Sequence, residues 1–297
     1  MIVGIPRALF FYKYKTMFET FFEELGIDYI VSDNSNKDIL MNGKRLSPDE
    51  SCLSLKLFLG HVNNLKNKCN YILIPRFESI RKNEKMCTNF YLLPDLVRNL
   101  FDINIIDFNV DESKKKTLKS AFISVGMYLG FSYNNTLSAY KAAVDKYNRM
   151  KNRQLLDQTN KINNKNKKIL LAGHPYIIHD DYICSSIINY LEKNNFSILY
   201  SDICESSNDN LLSLNIYFSE NKDIINAIYE YKDYISGIIL LSTFPCSPDS
   251  IVNELIVRNI SDLPIMNLII DESDSNTGLL TRLESFIDII NKEIINE

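Results

Sequence analysis

Apolar residues recur along the chain with two spacings. Short unbroken runs, such as Tyr71-Ile-Leu-Ile-Pro75 and Ile238-Ile-Leu-Leu-Ser242, read as buried strands. Stretches such as Tyr14, Phe18, Phe21, Phe22 and Leu25 keep helical spacing, and Gly26 closes that helix. Taken in order, the first half predicts strands at 2–6, 28–32, 71–75 and 103–108. Between them fall helices at 12–25, 36–42, from Ser47 to about 66, and at 90–100. Two longer helices follow at about 113–128 and 132–157. Residues 160–168 are rich in Asn and Lys and have no hydrophobic period, so they read as a linker. The second half repeats the theme, with strands at 169–172, 196–200, 238–242 and 265–270 and helices at 181–194, 220–233, 248–259 and 278–294. Strand alternating with helix means a parallel sheet covered on both faces. The pattern therefore predicts an α/β protein with an N-terminal domain over 1–159, carrying a helical extension, and a C-terminal domain over 169–297.

Composition narrows the functions this fold can serve. The 297 residues suffice for two ordinary domains, and 45% hydrophobic content fills two cores. A net charge of −4, with lysines interspersed among acids, argues against nucleic acid as a partner. No apolar run reaches the roughly 18 residues that span a bilayer. Met1-Ile-Val-Gly-Ile-Pro-Arg7 runs straight into a strand without a signal-peptide pattern, so a cytoplasmic protein is expected. Six cysteines in that compartment are metal ligands, catalytic thiols or core residues rather than disulfides. No Cys-x-x-Cys pair is present, which argues against a zinc ribbon. The absence of a Gly-x-Gly-x-x-Gly turn and of a Walker loop excludes NAD and ATP binding in those modes.

Three cysteines stand apart. Ser47-Pro-Asp-Glu50 reads as a capped helix start that puts Cys52 on the second turn, near the positive end of the helix dipole, with Lys56 one turn on. Cys246 precedes a second Ser-Pro-Asp helix start, and Cys87 follows the strand at 71–75. Ligands of doubly wound sheets bind beyond the carboxyl ends of the strands. Cys52, Cys87 and Cys246 are therefore expected to point into a cleft between the two domains and to bind one redox cluster, whereas Cys69, Cys184 and Cys204 read as core residues. His174 and His179 follow another strand as candidates for substrate contact, proton donation or ligation. Arg7 and Arg76, each after a proline at a strand end, are candidates to hold an anionic group or to pair with Asp49 or Glu50.

Gly4-Ile-Pro-Arg-Ala8, Phe22-Glu-Glu-Leu-Gly26, Ser51-Cys-Leu-x-x-Lys56, Gly60-His61, Ile74-Pro-Arg76, Gly173-His-Pro-Tyr176, Phe244-Pro-Cys-x-Pro-Asp-Ser250 and Thr281-Arg-Leu-Glu284 together resemble the acyl-CoA dehydratase activase-related proteins, within the wider group of 2-hydroxyacyl-CoA dehydratase subunits and double-cubane cluster proteins. The resemblance implies an oxygen-sensitive, anaerobic iron–sulfur protein of two Rossmann-like (flavodoxin-like) domains. It implies a [4Fe–4S] cluster on Cys52, Cys87 and Cys246, a double cubane requiring a larger set of cysteines. Electrons would come from a separate ATP-dependent activase, with a second dehydratase-like subunit or a second copy of this chain as further partner. Arg7 and Arg76 become substrate contacts on this reading, and His174 and Lys56 catalytic candidates. The chain departs from the family pattern at Ser54, Thr88 and Ser247, and at Ser273, where a histidine is usual. Two other readings fit the residues: a non-catalytic subunit or scaffold that clamps a small ligand by hinge closure, and a zinc hydrolase.

Overall fold

The computed structural model describes residues 1–204, 210–272 and 276–292. Ser273 and the expected end of the last helix at 294 lie outside the described residues. The chain divides into two compact units, one of residues 1–151 with 217–219, the other of residues 152–216 with 220–297.

Unit 1 is built on β1 (Ile2–Ile5), β2 (Asp28–Val31), β3 (Tyr71–Ser79) and β4 (Ile105–Asp111), a parallel sheet in the order β2-β1-β3-β4. Right-handed crossovers from that order put α1 (Phe10–Glu24) on one face, and α2 (Lys37–Arg45), α3 (Leu53–Leu65) and α4 (Thr88–Leu100) on the other. The sheet then feeds α5 (Leu118–Tyr128) and the long α6 (Tyr133–Asn163). The core on the α1 side is aromatic: Phe18 and Phe21 of α1 meet Phe122 of α5, which meets Phe108 of β4 edge-on at 4.9 Å. β3 runs on to Ser79 instead of stopping at Pro75. Pairing with β1 is confined to Val3↔Tyr71 and Gly4↔Ile72, so Pro75 lies where only β4 flanks the strand and its missing N–H is tolerated.

Unit 2 repeats the plan. β5 (Lys168–Gly173), β6 (Ser197–Tyr200), β7 (Gly237–Thr243) and β8 (Ile265–Ile270) form a parallel sheet in the order β6-β5-β7-β8. α7 (Pro175–Ile178) and α8 (Asp181–Lys193) follow β5; α9 (Ser219–Tyr231), α10 (Ser247–Asn259) and α11 (Asn276–Lys292) complete the unit. One core is aliphatic, with Ile224, Ile225 and Ile228 of α9 and Val252 and Ile256 of α10 against Leu170, Leu199, Ile238 and Leu240. The fold is thus α/β with two parallel sheets, as the periodicity predicts, and the two sheets share one strand order. Among the described residues no helix is long and apolar enough to cross a membrane.

Two expectations change. The polar stretch 160–168 is helical as far as Asn163, and β5 begins at Lys168, which leaves only 164–167 outside both elements. The helix persists because its polar side chains are anchored. Gln158, 3% exposed, donates to the carbonyls of Tyr200 and Ile203 and accepts from the Tyr200 N–H, while Lys161 donates to the Ile198 carbonyl. The division between units falls inside α6, between Lys151 and Asn152.

Candidate functional site

The order of each sheet reverses direction beside its first strand, and in such sheets ligands bind beyond the carboxyl ends of the strands flanking that point, here β1 and β3, or β5 and β7. The candidate residues are gathered at these ends.

In unit 1 the chain leaves β1 at Arg7. Its N–H donates to Ser32 Oγ at 2.8 Å and its Nε to the Ser32 carbonyl at 3.2 Å, which ties the end of β1 to the end of β2. The guanidinium lies over the Phe11 ring, 5.4 Å from its centroid, and pairs with no carboxylate among the described residues. Beneath it His61 of α3 is 0% exposed, with Nδ1 2.9 Å from Ser32 Oγ and Nε2 3.0 Å from Ser35 Oγ. Burial, with the nearby Arg7 charge, pushes His61 down to about 3 against the pull of Asp33, so the ring is neutral.

Cys52 is the N-cap of α3, with Lys56 N–H donating to its carbonyl. The expected capped start at Ser47 does not form. Ser47 Oγ turns back to the Gly43 carbonyl at the end of α2, Ser51 N–H closes a turn on Pro48, and α3 begins at Leu53. Lys56 is 5% exposed, and its Nζ donates to the Asp49 carbonyl at 2.8 Å, so it fastens the loop that carries Cys52. Arg76 faces α4: it pairs with Asp95 at 2.9 Å, donates to the Tyr91 carbonyl at 2.9 Å and lies 5.1 Å from the Tyr91 ring centroid. Its acid is therefore neither Asp49 nor Glu50. α4 in turn starts at Thr88 with Cys87 as its N-cap, and the loop before it is braced by a parallel bridge between Lys85 and Phe218.

In unit 2, β5 ends at Gly173. A Cβ there would stand 2.6 Å from the Leu241 carbonyl oxygen, so this close strand approach requires glycine. His174 follows as the N-cap of α7, 5% exposed, with the Tyr176 ring stacked on it at 5.0 Å. Its Nε2 lies 2.8 Å from Asp249 Oδ1 and its Nδ1 3.1 Å from Glu220 Oε2. Asn221 Nδ2 also donates to Asp249 Oδ1, at 2.8 Å. Burial alone would lower His174, but the charge of Asp249 and the contacts with both carboxylates outweigh it and push the ring up to about 10. Burial pushes Asp249 the other way from its partners; the His174 charge, the bonds from His174 and Asn221 and the adjacent Cys246 thiol win, holding it below its ordinary range. Cys246 is the N-cap of α10. The more exposed His179 pairs with Asp202 at 2.8 Å.

The sequence reading missed Glu220 as a partner of His174, Asn221 as a partner of Asp249, and Ser32 and Ser35 as partners of His61. Each pair joins elements far apart in the chain, and the only local signal was Asp249 in its Ser-Pro-Asp string. The other cysteines differ from the three candidates. Cys69 Sγ donates to the Leu65 carbonyl, Cys184 is 0% exposed with its thiol pushed up to about 12 by burial, and Cys204 Sγ donates to Glu230 Oε2. Cys52 and Cys87 belong to unit 1 and Cys246 to unit 2. Among the described residues no group of three or more His, Cys, Asp or Glu side chains is arranged to hold a metal ion. Each of the three thiols is half-buried at a helix start, where thiolate, the ligand form of cysteine, is favoured.

The two buried histidines give the units opposite pH responses. His61 is depressed, so its contribution is complete above about 6.5, the unperturbed histidine value, and is lost as pH falls through about 3. His174 is raised, so its contribution is complete below about 6.5 and is lost as pH rises through about 10. Hydrogen exchange corrected for intrinsic rates should show β5–β8 losing protection at pH 9 relative to pH 7, and β1–β4 losing it at pH 5. Equal shifts in both sheets would contradict this assignment.

Residues 2–204 match the sequence model of a family described as the CoA enzyme activase uncharacterised domain (DUF2229). Cys52, Cys87 and His174 lie within that span; Cys246, Glu220 and Asp249 lie beyond it. No curated protein matches the chain. Solved structures with some likeness include the substrate-binding protein FpvC of Pseudomonas aeruginosa in complex with Ni2+, at 9% identity and a TM-score of 0.30, covering 99% of this chain and 97% of that one. The same protein with Mn2+ gives 8% identity and 0.33, covering 98% and 97%. A periplasmic solute-binding protein from Actinobacillus succinogenes with bound D-allose gives 14% identity and 0.22, covering 98% and 91%. Scores this low carry no argument about this chain.

Proposed function

The chain belongs to the CoA enzyme activase uncharacterised domain family, and on that footing we propose that it is the iron–sulfur redox component of an acyl-CoA dehydratase and activase system, with Cys52, Cys87 and Cys246 as cluster ligands. The observation that carries the proposal is a shared position. Each of these thiols is the N-cap of a helix, α4 and α10 directly after a strand and α3 after α2, and none of Cys69, Cys184 and Cys204 is. A helix N-terminus favours thiolate over thiol, and the thiolate is the ligand form. A [4Fe–4S] cluster on three thiolates supplies one-electron transfer and leaves one iron open to substrate or water.

The remaining residues serve that centre in different ways. Arg7, in ion-pair contact with no carboxylate among the described residues, receives the anionic part of a small substrate, an acyl-CoA being the candidate class. Lys56 fastens the Cys52 loop, and Arg76 docks α4, the helix that Cys87 caps. Electrons arrive from a separate ATP-dependent activase, with a second dehydratase-like subunit or a second copy of this chain completing the complex.

Reconstituted anaerobically with iron and sulfide, the protein should turn brown and bind about four irons per chain. Cys52→Ala, Cys87→Ala and Cys246→Ala should each lose most of that iron, while Cys69→Ala and Cys204→Ala keep it. A colourless wild type, or an equal loss in all five variants, would sink the reading.

A further inference from the structure

Cys246 and Asp249 sit on the same first turn of α10. The Cys246 carbonyl accepts from Ser250 N–H at 3.0 Å and from Ser250 Oγ at 2.8 Å, so the cysteine backbone moves with that turn. Asp249, 3% exposed, turns its carboxylate inward to His174 and Asn221. Its Oδ2 is buried without an aligned hydrogen-bond partner, and the Cys246 thiol lies beside the carboxylate. His174 has Glu220 on its other side and Tyr176 stacked on its face. A ring enclosed in this way is out of reach of a substrate, and its two polar contacts lead to α10 and α9.

We infer that Asp249 is the positioning residue for the Cys246 thiol, and that His174, backed by Glu220, is the buried counter-charge that keeps Asp249 in place. His174 acts on the thiol through Asp249 and is not a proton donor to substrate. A buried charge with its partners in place admits few alternative arrangements, so the turn carrying the cysteine is held in one. Groups behind a reactive or ligating side chain commonly set its orientation in this way. The inference concerns the thiol itself and goes beyond the proposed cluster.

The test uses reduced, iron-free, full-length protein, so it stands apart from iron binding. Alkylation of each cysteine by iodoacetamide is followed by peptide mass spectrometry. Asp249→Asn and the charge-balanced pair His174→Gln with Glu220→Gln should each raise the Cys246 rate about tenfold over wild type. Cys184, 0% exposed in the same unit, should stay protected, and Cys52 and Cys87 should keep their rates. An unchanged Cys246 rate in either variant overturns the inference. So does a rise of Cys184 in step with Cys246, which marks loosening of the whole unit rather than loss of positioning.

Discussion

Gly60→Ala should destabilise unit 1 by about 3 kcal/mol or more, and Gly43→Ala should do the same. α2 and α3 touch backbone to backbone. A Cβ on Gly60 would fall inside the contact radius of the Ile39 carbonyl oxygen and 2.8 Å from its carbon. A Cβ on Gly43 would do the same to the Lys56 carbonyl. Both obstacles are main chain, so no rotamer change relieves them. Both glycines lie inside helices, where alanine is ordinarily favoured by roughly 1 kcal/mol. The prediction therefore has the opposite sign from helix propensity, and urea unfolding midpoints decide it. A variant as stable as wild type would show that the two helices can separate without loss. The contact matters to the site because the loop joining these helices carries Cys52 and is fastened by Lys56.

His174→Ala should cost unit 2 about 3–5 kcal/mol, the usual penalty for removing one partner from a buried charge network. His174 is a cation between Glu220 and Asp249, each less than a tenth exposed. Without it two carboxylates face one cavity, and one must take up a proton or draw in water. Adding Glu220→Gln to the variant should restore a large part of the loss, because a single carboxylate with Asn221 donating to it remains. Denaturant unfolding of the single and double variants separates the cases. A His174→Ala protein within 1 kcal/mol of wild type would mean that the network carries little of the unit's stability.

The same string, Ser-Pro-Asp, occurs before both sites and shows how far local sequence reaches. At 247–249 it starts α10 as expected, one residue earlier than the pattern placed it, so that Cys246 becomes the N-cap. At 47–49 the neighbouring end of α2 takes Ser47, and the helix starts six residues later at Leu53. The chemistry of the string is identical; the flanking element decides its use. Arg7 and Arg76 show the same limit. Both follow a proline at a predicted strand end, yet one donates to a serine carbonyl without an ion pair among the described residues and the other is committed to Asp95 on α4. For Cys87 the loop was expected and the cap was not, because nothing in Met86-Cys-Thr-Asn-Phe90 announces a helix start.

The sequence by itself determined the order of strands and helices and their assembly into two sheets. Apolar periodicity is a local property, and right-handed crossovers leave few ways to connect such elements. It also marked Cys52 and Cys246 as lying near helix starts, since turn residues act within a few positions. Only the tertiary structure decided what each polar side chain touches: His174 with Glu220 and Asp249, His61 with Ser32 and Ser35, Gln158 with β6, and the glycine contact of α2 with α3. These partners are separated by tens of residues, and strand order and helix packing, rather than spacing along the chain, set the distance between them.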